Sequence, residues 1–133
     1  MQEPVIQELE QLQGHLAHVK ALAEASAVLG WDQQTYMPPG GAEARAAQLT
    51  ALASVIHEKA TGDESARLLA AAERAGGGLD PDSDGAALLR AARRDFDQAT
   101  KVPTALVAET ARVTALAFEQ WARARAESDW GRF

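Results

Sequence analysis

Met37-Pro38-Pro39-Gly40-Gly41 stops any regular element that reaches it. Two prolines remove two backbone donors and bias the residue before each toward extended geometry, and the glycines then permit a turn. The helical patterns on either side must belong to separate helices. On the N-terminal side Val5, Leu9, Leu12, Leu16, Val19, Ala23 and Ser26 recur at spacings of four and three, widened by Ile6, Leu22 and Leu29. That is one face of a long helix, opening at Pro4 and expected to end around Gly30–Asp32. Gly14 is tolerated inside it at a cost of about 1 kcal/mol. On the other side Arg45, Leu49, Leu52 and Ile56 place a second helix over about 42–60.

The remaining pattern gives three more helices. Thr61 or Asp63 is expected to cap a short one, about 64–75, that carries Leu68 and Leu69. Residues 75–85, Ala-Gly-Gly-Gly-Leu-Asp-Pro-Asp-Ser-Asp-Gly, are expected to form a flexible surface loop. A fourth helix, about 84–100, presents Leu88, Leu89, Ala92, Phe96 and Ala99. Pro103 is placed to open the last, about 103–127, with Leu106, Thr110, Val113, Ala117, Trp121 and Ala124 on its inner side. The expectation is an all-α chain, a single domain over residues 1–133 built as an antiparallel array of about five helices.

Thirty alanines against seven aromatics imply close helix contacts and a few large anchors, expected to be Trp31, Tyr36, Phe96, Phe118, Trp121, Trp130 and Phe133. If Trp31 is such an anchor, its deletion costs several kcal/mol. A net charge of −6 gives no electrostatic support to nucleic-acid binding. The absence of cysteine removes disulfides and thiolate metal sites. With no signal-peptide pattern and no apolar run able to span a bilayer, the chain reads as cytoplasmic, without a membrane partner.

The candidate chemistry is sparse. His57-Glu58-Lys59-Ala60-Thr61 opens like the zinc motif His-Glu-x-x-His but ends in threonine, so His57 reads as a helix-end histidine favoured by the C-terminal dipole. His15 and His18 are three apart on the first helix, and two ligands fall short of a zinc site. Asp80, Asp82 and Asp84 have calcium-loop spacing, but the acid that would close the loop is missing. Asp32 reads as a cap for turn amides, and Glu43 and Arg45 as further ties across the turn. No catalytic residue and no metal ligand is assigned. The structural turn motif is Trp31, Asp32, Thr35, Tyr36, Met37, Pro38, Pro39, Gly40, Glu43 and Arg45.

The run from Ala27 through Trp31-Asp-Gln-Gln-Thr-Tyr-Met-Pro-Pro-Gly-Gly-Ala-Glu-Ala-Arg45 resembles the N-terminal region of the carboxypeptidase Taq family, which are zinc metallocarboxypeptidases. Gln48 through His57-Glu58, Arg90 through Phe96, Val102-Pro103-Thr104, Trp121 through Arg125 and Asp129-Trp130-Gly131-Arg132-Phe133 follow in family order. The resemblance implies a helical fold and zinc-dependent release of C-terminal residues from peptides. It also implies that the family's metal motif lies beyond the stretch matched here, so zinc belongs to the full-length family and no cofactor is expected in this chain. The N-terminal helices are implied to form part of the wall or lid of a substrate groove. The expectation is a truncated relative, inactive alone and inclined to self-associate, with a dimer favoured. Half of a split peptidase that needs a catalytic partner chain, a stand-alone helical module and a gene remnant stay open beside it.

Overall fold

The computed structural model describes residues 2–132, Gln2 by its backbone alone. It is an all-α helical array. Among the described residues the α-helices are α1 (Gln2–Thr35), α2 (Ala42–Thr61), α3 (Asp63–Ala75), α4 (Asp84–Ala99) and α5 (Thr104–Glu127), with 3₁₀ turns at Gly76–Gly78 and Trp130–Arg132. None of them is long and apolar enough to cross a membrane. The chain divides into two compact units, residues 1–21 with 56–103 and residues 22–55 with 104–133.

Helix ends depart from expectation where a stronger signal lies nearby. α1 runs past Gly30 to Thr35, because nothing before Pro38 forbids helical geometry. Thr35 Oγ1 donates back to the Trp31 carbonyl at 2.9 Å inside that last turn. α3 is capped neither by Thr61 nor by Asp63. Its N-cap is Gly62, in extended geometry and without a side-chain cap bond. Thr61 Oγ1 is instead spent on the His57 carbonyl at 2.7 Å. A Cβ on Gly62 would lie 2.7 Å from the Glu58 carbonyl oxygen, so only glycine fits between α2 and α3.

The first unit holds a packed core. Leu12 of α1, Leu68, Leu69 and Ala72 of α3 and Leu89 of α4 are buried together, with Leu9, Leu16 and Phe96 against them. Arg93 locks α4 to α3 through a bidentate bond to Glu73, at 2.8 and 2.6 Å. The connection over 75–85 is built from local bonds: Asp80 Oδ1 accepts from the Asp82 amide at 2.9 Å, and Ser83 Oγ donates to the Asp80 carbonyl at 2.6 Å. Ser83 then caps α4 by accepting from the Ala86 amide. The three aspartates thus belong to a turn and a helix start.

The second unit is packed differently. Its buried apolar side chains among the described residues are all alanine: Ala42, Ala46, Ala115 and Ala124. The expected inner side of α5 holds at Ala124, which is buried, but is wrong in register before it: Leu106, Thr110, Val113, Ala117 and Trp121 are exposed, while Ala111, Ala115 and Phe118 turn inward. Small residues let helix backbones approach closely, and here Gln33 of α1 reaches the Ala115 carbonyl at 2.9 Å.

The aromatic anchors need the same correction. Trp31, Tyr36, Trp121 and Trp130 are exposed. Phe96 packs on the first unit's core and Phe118 is half-buried; Phe133 lies outside the described residues. The reason for Trp31 is angular. The inward stripe of α1 in this unit is Leu22, Ser26, Leu29 and Gln33, and residue 31 sits two positions from each of the last two, on the opposite side of the helix. The α5 helix closes with Ser128 in left-handed geometry (φ 52°), the Asp129 amide reaching back to the Ala124 carbonyl at 2.9 Å.

Leu69→Ala should destabilise the first unit by about 2–5 kcal/mol, since it empties a site with no exposed surface to relax into. Denaturant unfolding followed by circular dichroism measures this, and a loss below about 1 kcal/mol would show that the α1–α3–α4 core is not closed there.

Candidate functional site

The residues singled out by sequence lie at the α1–α2 turn, within the second unit. The backbone turns in two stages. The Asp32 carbonyl accepts from both the Tyr36 and Met37 amides, at 3.0 and 2.9 Å, and so closes α1. The Gly41 amide then bonds to the Pro38 carbonyl at 3.0 Å across Pro39 and Gly40. With Gly40 at φ +91°, this is a type II turn, which needs proline-like φ at its first corner and glycine at its second. The Arg45 amide takes the Gly41 carbonyl at 3.0 Å and starts α2.

Arg45 holds the two helices together. Its Nη1 donates to the Leu29 carbonyl at 2.6 Å, its Nη2 to Asp32 Oδ2 at 2.7 Å and its Nε to Gln48 Oε1 at 3.0 Å. The planar guanidinium supplies these donors in a fixed fork, which a lysine cannot reproduce. Arg45 is only 13% exposed and Asp32 32%, so the pair is partly withdrawn from solvent. Asp32 therefore serves the turn through its carbonyl and uses its carboxylate as Arg45's counter-ion, whereas capping of amides by the side chain was expected. Glu43 acts at longer range, as one of the negative charges around Arg112.

Trp31 and Tyr36 meet edge to face, ring centroids 5.7 Å apart, and both face solvent. Met37 is half-buried and lies 3.0 Å from where a Cβ on Gly41 would stand, while Pro38, Pro39 and Gly40 are exposed. A cavity of 330 Å³ in the same unit is lined by Ser26, Gln33, Gln34, Leu49, Phe118 and their neighbours, none of them ionisable. Sequence reasoning missed Gln33, whose amide ties α1 to α5. Its signal was visible: a glutamine four residues after Leu29, on a stripe otherwise meant for packing.

The histidines do other work. His15 Nε2 lies 2.6 Å from Ser65 Oγ and 3.1 Å from the Lys59 carbonyl, and Ser65 Oγ donates to that carbonyl at 2.7 Å. Since the serine's single hydrogen is used there, His15 carries its proton on Nε2. The group satisfies an orphan carbonyl in the last turn of α2. His57 Nε2 likewise lies 3.0 Å from the carbonyl of Ala99, the last residue of α4. His57 thus serves a helix C-terminus on a neighbouring element; its own helix's dipole was the expectation. Among the described residues no three His, Cys, Asp or Glu side chains are grouped to hold a metal ion. Zinc needs three or four such ligands, so the donors present do not fit it.

A family model described as carboxypeptidase Taq (M32) metallopeptidase matches residues 11–133. The chain is 34% identical over 131 residues to thermostable carboxypeptidase 1 of Thermus thermophilus, a match covering 98% of this chain and 25% of that relative. The chain thus spans about a quarter of the length of the curated relative it matches. No solved structure matches it.

Arg45→Ala should cost about 1–3 kcal/mol, because it strands Asp32 and loosens the α1–α2 corner, and Arg45→Lys should recover only part of that. Trp31→Ala should cost less than about 1 kcal/mol, as an exposed ring fills no cavity. Unfolding midpoints of the three variants rank these effects; a larger loss for Trp31→Ala than for Arg45→Ala would reverse the assignment. On α5, the bidentate bond from Arg112 holds the Glu109 carboxyl below its ordinary range. The folded helix thus favours the carboxylate, and the contribution is present above the unfolded value and fades as pH falls through the lowered folded one. An NMR titration should place the Glu109 midpoint below that of an ordinary glutamate, and Arg112→Ala should raise it.

Proposed function

The chain belongs to the carboxypeptidase Taq (M32) metallopeptidase family, and on that premise we propose that it is a non-catalytic helical part of a peptide-cleaving metalloenzyme, a wall or lid beside the substrate groove, acting in the cytoplasm. The observation that carries this reading is the extent of the match: nearly all of this chain aligns with one quarter of the relative. The residues available here agree with a supporting role. His15 and His57 are engaged at helix-end carbonyls, and the sequence contains no His-Glu-x-x-His. What the chain does supply is a shaped helical surface, with its α1–α2 corner set by Arg45 and its α1–α5 contact set by Gln33. The chemistry of peptide cleavage comes from the metal-bearing part of the family fold.

The exposed aromatic side chains of the second unit favour a second reading, in which the chain pairs with a copy of itself as a homodimer.

The purified chain should release no C-terminal amino acids from a blocked peptide, with or without added zinc, and metal analysis after dialysis should find far less than one zinc per chain. Chelator-sensitive release, or stoichiometric zinc that survives dialysis, would overturn the reading. Light scattering on a sizing column tests the homodimer: a sharp doubled mass supports it, and a monomer excludes it.

A further inference from the structure

We propose that the C-terminal end of α5 holds a binding site for a small aromatic carboxylate, its ring laid against Trp121 and Trp130 and its carboxylate on Arg125. The site lies within the second unit and is separate from the α1–α2 corner.

A cavity of 420 Å³ opens there, lined by Trp121, Ala124, Arg125, Ser128, Asp129 and Trp130. Small-molecule sites are of this size, and they combine mainly apolar walls with a few placed polar groups. The sequence builds the site in steps. Trp121 and Arg125 stand four apart and so share one side of α5. Ala124 beside them is buried and small, which leaves depth where a longer side chain would fill the floor. Ser128, in left-handed geometry, then turns the chain, and the Asp129 amide is fixed on the Ala124 carbonyl at 2.9 Å. Asp129 Oδ1 accepts from the Gly131 amide at 3.0 Å and Oδ2 meets Arg132 Nε at 3.3 Å, while Arg132 also holds Glu127 at 2.9 Å. The backbone is tied down on both sides of Trp130, whose indole comes back to the cavity beside α5. The rings of Trp121 and Trp130 are left 42% and 82% exposed.

The ligand follows from the charges. Arg112, Arg123 and Arg132 each hold a carboxylate. Arg125 has no carboxylate partner among the described residues; its guanidinium lies over the Trp121 ring, 5.6 Å from the centroid. The Asp129 carboxylate also lines the cavity, but both its oxygens are engaged in the turn. A guanidinium fork without a counter-ion matches a carboxylate. Indole faces match a flat ring, because aromatic pairs gain beyond the area they bury. An aliphatic acid would satisfy Arg125 and leave the indoles in water. An aromatic amine would satisfy the indoles and meet a cation.

The test titrates phenylpropionate into the isotope-labelled full chain and follows backbone amides by NMR. Saturable shifts should centre on residues 121–131. Trp130→Ala and Arg125→Gln should each weaken binding at least about tenfold while keeping the helical content of the parent. Phenylpropanol, which keeps the ring and lacks the charge, should bind more weakly and be indifferent to Arg125→Gln. Trp31→Ala, which removes an exposed ring elsewhere in the unit, should leave the titration unchanged. Shifts that do not saturate, or that centre elsewhere, would overturn the site. Equal affinity for phenylpropanol, or a preference for phenethylamine, would overturn the carboxylate on Arg125. Either failure leaves the functional reading above untouched, since that reading is tested by peptide cleavage and zinc content.

Discussion

Every helix ends with carbonyl oxygens that have lost their partners, and this chain depends on finding donors for them within very short connections. One residue separates α2 from α3. A connection so short cannot wrap donors around an exposed helix end, so they come from side chains on other elements. His15 and Ser65 converge on Lys59 at the end of α2. At the other helix ends backbone amides do most of the work: Tyr36 and Met37 close α1, Asp129 closes α5, and Thr100, Lys101 and Val102 close α4, where His57 joins Val102 at the Ala99 carbonyl. Two of the chain's three histidines are thus explained by helix termination.

The two units solve the packing problem by different means. The first buries leucines and gains from transfer of large apolar side chains out of water. The second buries alanines, which contribute little area each but let the helices come close enough for Gln33 to reach a backbone carbonyl and for Arg45 to span two helices. Its cohesion rests more on directional hydrogen bonds than on apolar volume. Phe118 and the leucines of the inward stripe are only half-buried there, and Trp31, Tyr36, Trp121 and Trp130 face out.

That division bears on function. His15 and His57 at helix-end carbonyls, Arg45 with Asp32 and Arg93 with Glu73 all serve to hold a shape. The chain belongs to the carboxypeptidase Taq (M32) metallopeptidase family, and a held shape is the contribution proposed for it there.

Much of this was legible in the residues themselves. The Pro38-Pro39-Gly40-Gly41 break, the helical periodicities, Pro103 and the order of the family motifs determined five helices, their approximate limits and the relationship, because these depend on local sterics and on matching residues in order. Helix ends were read to within a few residues, missing where a weak local signal such as Gly30 preceded the stronger one at Pro38. The role of Arg45 in tying the turn was also anticipated from its place at the start of α2. What only the tertiary structure decided was which face of each helix turns inward. On α5 a leucine–valine–tryptophan stripe and an alanine–phenylalanine stripe compete, and size favoured the wrong one. Burial there is set by how closely two backbones approach, a property of helix pairs that neither sequence carries alone. For the same reason the fates of Trp31, exposed, and His57, spent on a neighbouring helix's carbonyl, could be read only after the helices had met.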